Sequence, residues 1–279
     1  MDFLNAIILI SNFIIVPAIT YGSQLALGAI GVTLIYGVLR FANFAYGDLM
    51  AFATMIVILT TWYLQSIGIS LGFLPTALLA LPIGILVTIG ISLFFDKTVF
   101  EYYRNKKANS VTFIVVSLGL MFVLNAIVRI IIGPGNVNFM DGHKFIMKAK
   151  EFKDLTGLNE GLAIKSTQVI TLITTVITCS LLFYFLNKTK TGKSMRAYSD
   201  NEDLALLSGI DPKKIILITW VIVSILATVG GTLYGLDKSF KPFTYFNNLL
   251  PIFAATIVGG IGNPLGAFYG GFLVAFSEI

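Results

Sequence analysis

Long apolar runs dominate this sequence and restrict its fold more than any other feature. Seven of them reach the length of about 20 residues that a helix needs to cross the hydrocarbon core of a bilayer. They cover residues 13–38, 47–67, 71–95, 111–133, 168–187, 213–237 and 248–279. Because backbone polar groups find no water in lipid, they must bond within their own segment, and each run is predicted to be helical.

The composition agrees with a membrane protein. Hydrophobic residues make up 56% of the chain and charged residues only 12%, and the mean hydropathy is +0.88. A soluble domain of this length needs more charge to cover its surface. We therefore predict an all-α, polytopic integral membrane protein that forms a single domain over residues 1–279.

The last apolar run contains residues that interrupt helices, namely Gly259, Gly260, Gly262, Asn263 and Pro264. Two half-helices that meet at a Gly-Asn-Pro turn fit better than one straight span. The prediction is thus about seven to eight transmembrane helices with a broken or re-entrant segment near the C-terminus. Irregular backbone at membrane depth survives where protein surrounds it or where it lines a water-filled path. Since Gly262 and Gly266 have the spacing of closely packed helices, tight packing and path lining both remain open.

Basic residues mark one side of the membrane. The net charge is +5, and lysine and arginine concentrate in two short loops, 96–110 and 188–212. Two spans separate these loops, so both lie on one side, and the positive-inside rule predicts that this side is the cytoplasm. The N-terminus and the polar stretch 134–167 are then outside. This topology accounts for the basic residues without a nucleic-acid partner.

Residues for catalysis or metal binding are scarce. Cys179 is the only cysteine and His143 the only histidine, so neither a zinc ligand set nor a Ser-His-acid arrangement is available. Residues 191–194, Thr-Gly-Lys-Ser, end like a phosphate-binding loop, but Asn187 stands where the first glycine is required. We therefore expect no catalytic residue, metal or cofactor in this chain, and no enzymatic activity of its own.

A short amphipathic helix is predicted in the second basic loop. Asp200 is its predicted N-cap, Gly209 its end, and Leu204, Ala205 and Leu207 give it a small apolar face. The helix is too short to fold alone. It either rests on lipid headgroups or docks onto a cytosolic partner.

The sequence around this helix, R-A-Y-S-D-N-E-D-L-A-L-L-S-G-I-D-P-K-K, resembles the coupling loop of the branched-chain amino acid ABC permeases of the Liv type, H subunit. Those proteins carry an Arg-Ala start, a central Asp, then Ala, then Gly-Ile. In ABC importers generally, an Ala-x-x-x-Gly helix inserts into a cleft of the ATPase. The resemblance implies that the residues coupling this chain to an ATPase are Arg196, Asp200, Ala205, Gly209 and Ile210.

Two further blocks resemble the same family. Residues 43–48, Asn-Phe-Ala-Tyr-Gly-Asp, match the family's Asn-Phe-Ala-His-Gly-Asp/Glu, with Tyr46 in place of the usual His. Residues 254–267 match the family's Val-Leu-Gly-Gly-Ile-Gly-(Asn/Ser)-(Pro/Ile)-x-Gly-Ala. The blocks occur in the family order and span most of the chain. They imply a set of candidate path or gate residues: Asn43, Gly47, Asp48, Gly259, Gly260, Gly262, Asn263, Pro264 and Gly266.

Asp48 also invites a prediction from its own chemistry. With Gly47 it opens a helix, where the helix dipole favours an acid. Arg40 lies eight residues earlier in the sequence, close enough to pair if the chain turns between them. We predict an ion pair at the membrane edge, with a gating or path-lining role as the alternative.

The resemblance implies a permease subunit of an ABC importer for leucine, isoleucine and valine, a multi-pass protein of the plasma (bacterial inner) membrane. The implied partners are a second homologous permease subunit, two cytosolic ABC ATPases that bind the ATP, a periplasmic or lipid-anchored substrate-binding protein, and the lipid bilayer. Family members usually continue for some tens of residues beyond Ile279. We therefore expect this chain to lack the last span and the cytoplasmic tail.

Three alternatives remain. The resemblance also fits the related importers of urea and short amides, which share the same blocks; in such systems selectivity resides mostly in the binding protein. An ion-coupled carrier would need an acid buried within a span, whereas Asp48, Asp237 and Glu278 lie at segment edges. A membrane enzyme would need paired acids or metal ligands within the spans.

Overall fold

The computed structural model describes residues 2–156 and 158–279, and these form a helical bundle with one small sheet. The elements before the polar stretch 134–167 are α1 Asp2–Ile10, a π-helical turn Ser11–Ile15, α2 Val16–Leu39, α3 Tyr46–Ser66, α4 Ala77–Phe95, a π-helical turn Asp96–Phe100, α5 Glu101–Asn105 and α6 Ser110–Ile132. The remainder are β1 Phe145–Met147, α7 Ala149–Thr156, β2 Ile164–Lys165, α8 Ser166–Lys188, α9 Lys190–Asp200, α10 Glu202–Leu207, α11 Pro212–Lys238, α12 Pro242–Gly259 and α13 Pro264–Glu278.

In the described part of the chain, six helices are long and apolar enough to cross a membrane. They are Phe3–Leu39, Tyr46–Ser66, Ala77–Asn105, Ser110–Ile132, Ser166–Lys188 and Pro212–Lys238. Large apolar side chains such as Leu86, Phe122 and Ile130 are exposed on their outer faces, where a bilayer would cover them. The all-α polytopic prediction is confirmed, but the count of seven to eight spans is not.

The difference in count comes from the last predicted run, 248–279. It forms the end of α12 and the whole of α13, which have 18 and 15 residues and meet at a turn. Gly260 and Gly262 occupy this turn with φ of 90° and 87°, a backbone region open to glycine. The predicted break is therefore present, and it divides the run into two shorter helices.

Two other predicted segments have different bounds. The first helix begins well before residue 13, because a π-helical turn joins α1 to α2 without a break. The third begins at Ala77 and continues to Asn105, so most of the predicted loop 96–110 is helical. This extension is held by Asp96, which accepts two hydrogen bonds from Arg104 at 2.7 and 2.9 Å and one from the Trp220 indole at 2.8 Å.

The helices α12 and α13 form an antiparallel hairpin, called here the C-terminal hairpin, that packs on α2. Tyr21 donates to Asn248 at 2.9 Å, and Thr256 lies against the backbone of Ala29, so α12 runs parallel to α2. A Cβ added to Gly271 would lie 2.6 Å from the Ala26 backbone. Small residues on all three helices allow this approach.

Both basic segments lie at one end of the bundle, called here the basic end. A cavity of about 420 Å³ there is lined by Lys97 and Arg104 from one segment and by Tyr198 and Glu202 from the other. The prediction that the two loops share a side is confirmed. The positive-inside rule makes this end cytoplasmic, which stays a prediction.

The opposite end carries the polar stretch between α6 and α8. Its strands pair antiparallel with Phe145 opposite Lys165, and a bridge from Val137 to Phe240 ties it to the loop before α12. Asp141 accepts a hydrogen bond from the Thr76 backbone N–H at 2.7 Å and another from its hydroxyl. Burial raises the pKa of Asp141, but these hydrogen bonds to the carboxylate outweigh it and the net pKa is lowered.

The close packing of the C-terminal hairpin can be tested at Gly270. An added Cβ there would lie 2.1 Å from the Ala255 carbonyl oxygen, so Gly270→Ala must separate α12 from α13. We expect the free energy of unfolding in detergent to fall by about 1–3 kcal/mol, the usual cost of overpacking a core. Gly119→Ala is the matched control, since Gly119 lies within α6 with open space around it. Equal melting temperatures for the two variants would contradict the packing described here.

Candidate functional site

The predicted coupling helix exists as α10, but its N-cap is not Asp200. The helix α9 continues through Asp200, and the next residue, Asn201, takes the extended backbone of an N-cap with φ −151°. The Asn201 side chain accepts a hydrogen bond from the Leu204 N–H at 3.0 Å. The prediction of Asp200 as the cap was wrong by one residue, because the preceding helix extends further than its sequence suggested.

The end of α10 follows the prediction. Gly209 has φ 78°, its N–H donates to Leu206 at 3.0 Å, and the N–H of Ile210 donates to Ala205 at 3.1 Å. This pair of bonds is a Schellman motif, which needs glycine at the left-handed position. The structure thus brings Ala205, Gly209 and Ile210 together in one turn.

The apolar residues of α10 differ in exposure. Ala205 is buried with 3% exposure, whereas Leu204, Leu206 and Leu207 are 61%, 43% and 85% exposed. Three leucines on a six-residue helix at the basic end therefore have no cover within the described chain. Such a patch is typical of a surface that another protein contacts.

The helix α9 joins α10 to the bundle. Its Met195 and Tyr198 side chains are buried, and Tyr198 donates a hydrogen bond to Glu202 at 2.7 Å, which links it to α10. Burial, aided by this bond to a carboxylate, raises the pKa of Tyr198. Arg40, at the end of α2, donates to the Ser199 carbonyl oxygen. The helix α9 therefore contacts both α10 and the end of α2.

The predicted ion pair between Arg40 and Asp48 does not form. Arg40 is exposed and contacts α9, whereas Asp48 is fully buried and accepts a hydrogen bond from the Asn125 side chain at 2.6 Å. The reason is the path of residues 40–45, which run from the basic end into the bundle. Along this path the Phe44 N–H donates to Ser117 at 3.1 Å.

Asp48 consequently lies deep in the bundle and not at its edge. Its partner Asn125 is 15 positions along α6 from Ser110, about 22 Å of helix at 1.5 Å per residue. The other carboxylate oxygen of Asp48 is buried and has no hydrogen-bond partner among the described residues. A buried acid with one unpaired oxygen is costly unless its charge is reduced or compensated.

The remaining residues of this block are packed against neighbours. Asn43 is buried and its side-chain oxygen accepts the Ala45 N–H at 3.0 Å, which shapes the turn into α3. A Cβ on Gly47 would lie 2.9 Å from the Tyr245 carbonyl oxygen of α12. Tyr46, at the position of the family's histidine, is fully buried against Gly31.

The Gly-Asn-Pro block forms the turn of the C-terminal hairpin. A Cβ on Gly266 would lie 1.8 Å from the Gly259 carbonyl oxygen, so these two glycines set the closest approach of α12 and α13. Asn263 caps α13 by accepting the Gly266 N–H at 3.2 Å, and Pro264 is in its first turn. Tight packing, one of the two alternatives left open by the sequence, therefore applies to Gly259 and Gly266.

The turn meets α9 at the basic end. A cavity of about 350 Å³, called here the inner cavity, lies between them and brings together two sets of residues that the sequence predicted separately. From α9 come Arg196 and Asp200, and from the hairpin turn come Gly262, Asn263 and Pro264. A Cβ on Gly37 of α2 would lie 2.6 Å from the Ser199 hydroxyl and 4.0 Å from the Gly262 Cα, so α2 touches both walls.

A second cavity of about 470 Å³ lies at the opposite end. Three lysines, Lys144, Lys165 and Lys238, line it together with Asp237. The Lys238 ammonium also lies 4.3 Å from the centre of the Tyr21 ring. This end therefore presents a concave, positively charged surface that the sequence analysis did not identify.

The sequence analysis also did not identify Asn125 as a candidate site residue. A signal was available, because an amide inside the otherwise apolar run 111–133 is costly in lipid and needs a partner. The sequence cannot identify that partner, since Asp48 is 77 residues away and meets Asn125 only through the inward path of residues 40–45.

Comparisons with known proteins give the family. The family model described as "Branched-chain amino acid transport system / permease component" matches residues 14–279. The permease protein LivH of the Escherichia coli K12 high-affinity branched-chain amino acid transport system is 27% identical over 93% of this chain and 82% of its own length. BraD of Pseudomonas aeruginosa is 26% identical over 95% of this chain and 84% of its length.

An archaeal relative is also similar. The probable branched-chain amino acid transport permease protein LivH of Methanocaldococcus jannaschii is 30% identical over 96% of this chain and 80% of its own length. No solved structure matches the chain at a significant level. The family match covers nearly all of the sequence, and the bundle and its three sequence blocks agree with it, so this chain belongs to the branched-chain amino acid ABC transporter permease family.

Proposed function

We propose that this chain forms half of the membrane path of an ABC importer for leucine, isoleucine and valine. The observation that carries the proposal is the arrangement of α10, α9 and the hairpin turn, which connects an exposed leucine patch to a break in the bundle. The relatives from Escherichia coli and Pseudomonas aeruginosa belong to branched-chain amino acid transport systems, which supports the substrate class. The partners are a second homologous permease, two cytosolic ATPases that bind the ATP, and an external binding protein.

The exposed leucines of α10 would dock into a cleft of the ATPase. Leu204, Leu206 and Leu207 give a helix of one and a half turns an apolar contact surface, and the buried Ala205 with Gly209 holds that helix in place. Apolar anchors surrounded by polar residues are typical of the centre of a protein interface. Glu202 and Asp203, both exposed in the first turn of α10, supply such a polar rim.

Movement of α10 would then be transmitted to the helices that form the membrane path. The α9 helix is tied to α10 through Tyr198 and Glu202, and to α2 through Ser199 and Arg40. The α2 helix in turn packs along both arms of the C-terminal hairpin. Because packed helices move as rigid bodies, a shift at α10 would displace the hairpin turn relative to the rest of the bundle.

The opposite end would receive the substrate. The lysines of the second cavity and Asp237 offer charges for an acidic surface of the binding protein or for the charged groups of an amino acid. Electrostatic attraction of this kind speeds docking and weakens as salt rises.

Uptake in membrane vesicles tests the proposal. Vesicles that contain this chain with its partner permease, ATPases and binding protein should accumulate labelled leucine only when ATP and the binding protein are present. Labelled urea serves as the parallel substrate, because the related importers share the same sequence blocks. Urea uptake without leucine uptake would keep the importer and overturn the substrate, whereas uptake driven by a proton gradient without ATP would overturn the ABC mechanism.

The coupling role of α10 can be tested at Gly209. Gly209→Trp places a bulky side chain at φ 78°, so the Schellman motif and the position of α10 are lost. We expect leucine uptake to fall by more than about tenfold, as for a loss of over 1.4 kcal/mol of coupling, while the protein stays in the membrane.

Gly68→Trp is the matched control for this experiment. Gly68 also has positive φ, 83°, and open space around it, but it lies far from α10 at the end of α3. Normal uptake in Gly209→Trp, or equal losses in both variants, would remove the coupling assignment.

Two variants of Asp48 test whether this buried acid serves only to stabilise the fold through its hydrogen bond with Asn125. Asp48→Asn keeps an oxygen that can accept the Asn125 hydrogen bond and removes a buried charge, so folding and most of the uptake should be retained. Asp48→Ala leaves the Asn125 amide unpaired and should lower the free energy of unfolding by about 1–3 kcal/mol. Melting temperatures and leucine uptake are measured for both. A folded Asp48→Asn variant without uptake would show that transport requires the charge.

A further inference from the structure

The inner cavity has the size of a small-molecule site. Its volume of about 350 Å³ is at the lower end of the roughly 300–1,000 Å³ that ligand pockets occupy. It is formed by α2, α8, α9 and the turn of the C-terminal hairpin, so four separate parts of the chain converge on it. Its walls contain three different kinds of chemistry.

Two opposite charges line one wall. Arg196 and Asp200 are four residues apart on α9, which places them on the same face of the helix. Among the described residues, the ion pair within 4 Å is Arg104 with Asp96. Arg196 and Asp200 therefore do not form an ion pair with each other. A guanidinium binds a carboxylate through two parallel hydrogen bonds, and a carboxylate binds an ammonium group. The spacing suits a ligand that carries both charges close together.

The hairpin turn adds a positive field. Asn263 and Pro264 begin α13, a helix of 15 residues, and both line the cavity. The N-terminal end of a helix carries a partial positive charge that favours anions. Broken helices in membrane transporters use such ends for the carboxylate of a substrate. Here that end supplements Arg196.

The other wall is apolar. Leu34 and Val38 of α2, Leu186 of α8 and Met195 of α9 line it with branched or flexible aliphatic side chains. Thr33 also lines the cavity, and its buried hydroxyl has no hydrogen-bond partner within residues 2–156 and 158–279. A buried hydroxyl without a partner is an available contact for a ligand.

We propose that the inner cavity binds a free aliphatic α-amino acid at the basic end of the permease. The carboxylate lies at Arg196 and the start of α13, the ammonium group lies at Asp200, and the side chain lies among Leu34, Val38, Leu186 and Met195. This inference rests on the proposed import of branched-chain amino acids, and it assigns the last contacts that the substrate makes before release into the cytoplasm. Glycine-like small ligands would leave the apolar wall empty.

Direct binding to this chain in lipid nanodiscs, without the binding protein, tests the site. Labelled leucine is compared with labelled 3-methylbutylamine, which lacks the carboxylate, and labelled 4-methylpentanoate, which lacks the ammonium group. Leucine should bind at least about tenfold more tightly than either, since each loses one charge-assisted contact. Equal binding of the three compounds would overturn the proposal.

Variants of Arg196 and Asp200 test which residue binds the carboxylate and which binds the ammonium group. Arg196→Gln should reduce leucine affinity by about tenfold or more and leave the affinity for 3-methylbutylamine unchanged, whereas Asp200→Asn should do the same with 4-methylpentanoate. Arg196→Lys should restore part of the leucine affinity, which distinguishes a lost contact from a misfolded protein. Lys193→Gln is the matched control, because Lys193 is an exposed cation of α9 outside the cavity lining. Unaltered leucine binding in Arg196→Gln and Asp200→Asn would overturn the site.

Failure of the inner binding site can be distinguished from failure of the proposed import function. Leucine uptake by the complete transporter without leucine binding in nanodiscs would overturn the inner site alone. Leucine binding that depends on Arg196 and Asp200, without ATP-dependent leucine uptake, would support the site and overturn the proposed import.

Discussion

The contact of three helices through small residues supports the rest of this structure. The α2 helix lies against both arms of the C-terminal hairpin, and at Gly266, Gly270 and Gly271 the neighbouring backbones come too close for any side chain. Lipid tails are as apolar as the side chains they would replace, so helices in a membrane associate through such close packing more than through the hydrophobic effect. The position of the hairpin turn, and with it the inner cavity, follows from this contact.

Polar contacts between helices complement the packing. Asp48 with Asn125, Tyr21 with Asn248, and Ser224 with Ser92 each join two helices, and Asp96 joins α5 to α11 through Arg104 and Trp220. A polar group without a partner is costly in lipid, and all of these pairs except Asp96 with Arg104 join residues distant in sequence. They fix which helices are neighbours in a bundle where apolar surfaces alone would discriminate poorly.

The two ends of the bundle differ in structure. At the basic end, α10 is an exposed apolar contact that is connected to the hairpin turn through α9 and α2. At the opposite end, a short sheet and the loop before α12 surround a cavity with three lysines. In the proposed importer, substrate arrival and coupling to ATP hydrolysis would act on opposite ends of the bundle, which suits transport by alternating access.

The sequence alone determined the class of protein, the broken last segment, the shared side of the two basic loops and the residues that end α10. Each of these depends on local properties: run length, a Gly-Asn-Pro cluster, charge content or a glycine at a left-handed position. Only the tertiary structure decided that Asp48 lies deep beside Asn125 and that Arg196 and Asp200 share a cavity with Asn263. These depend on where residues 40–45 run and on how closely three glycine-containing helices approach. Asp48 and Asn125 are 77 positions apart, and Arg196 and Asp200 are 67 and 63 positions from Asn263, so no local pattern specifies these contacts.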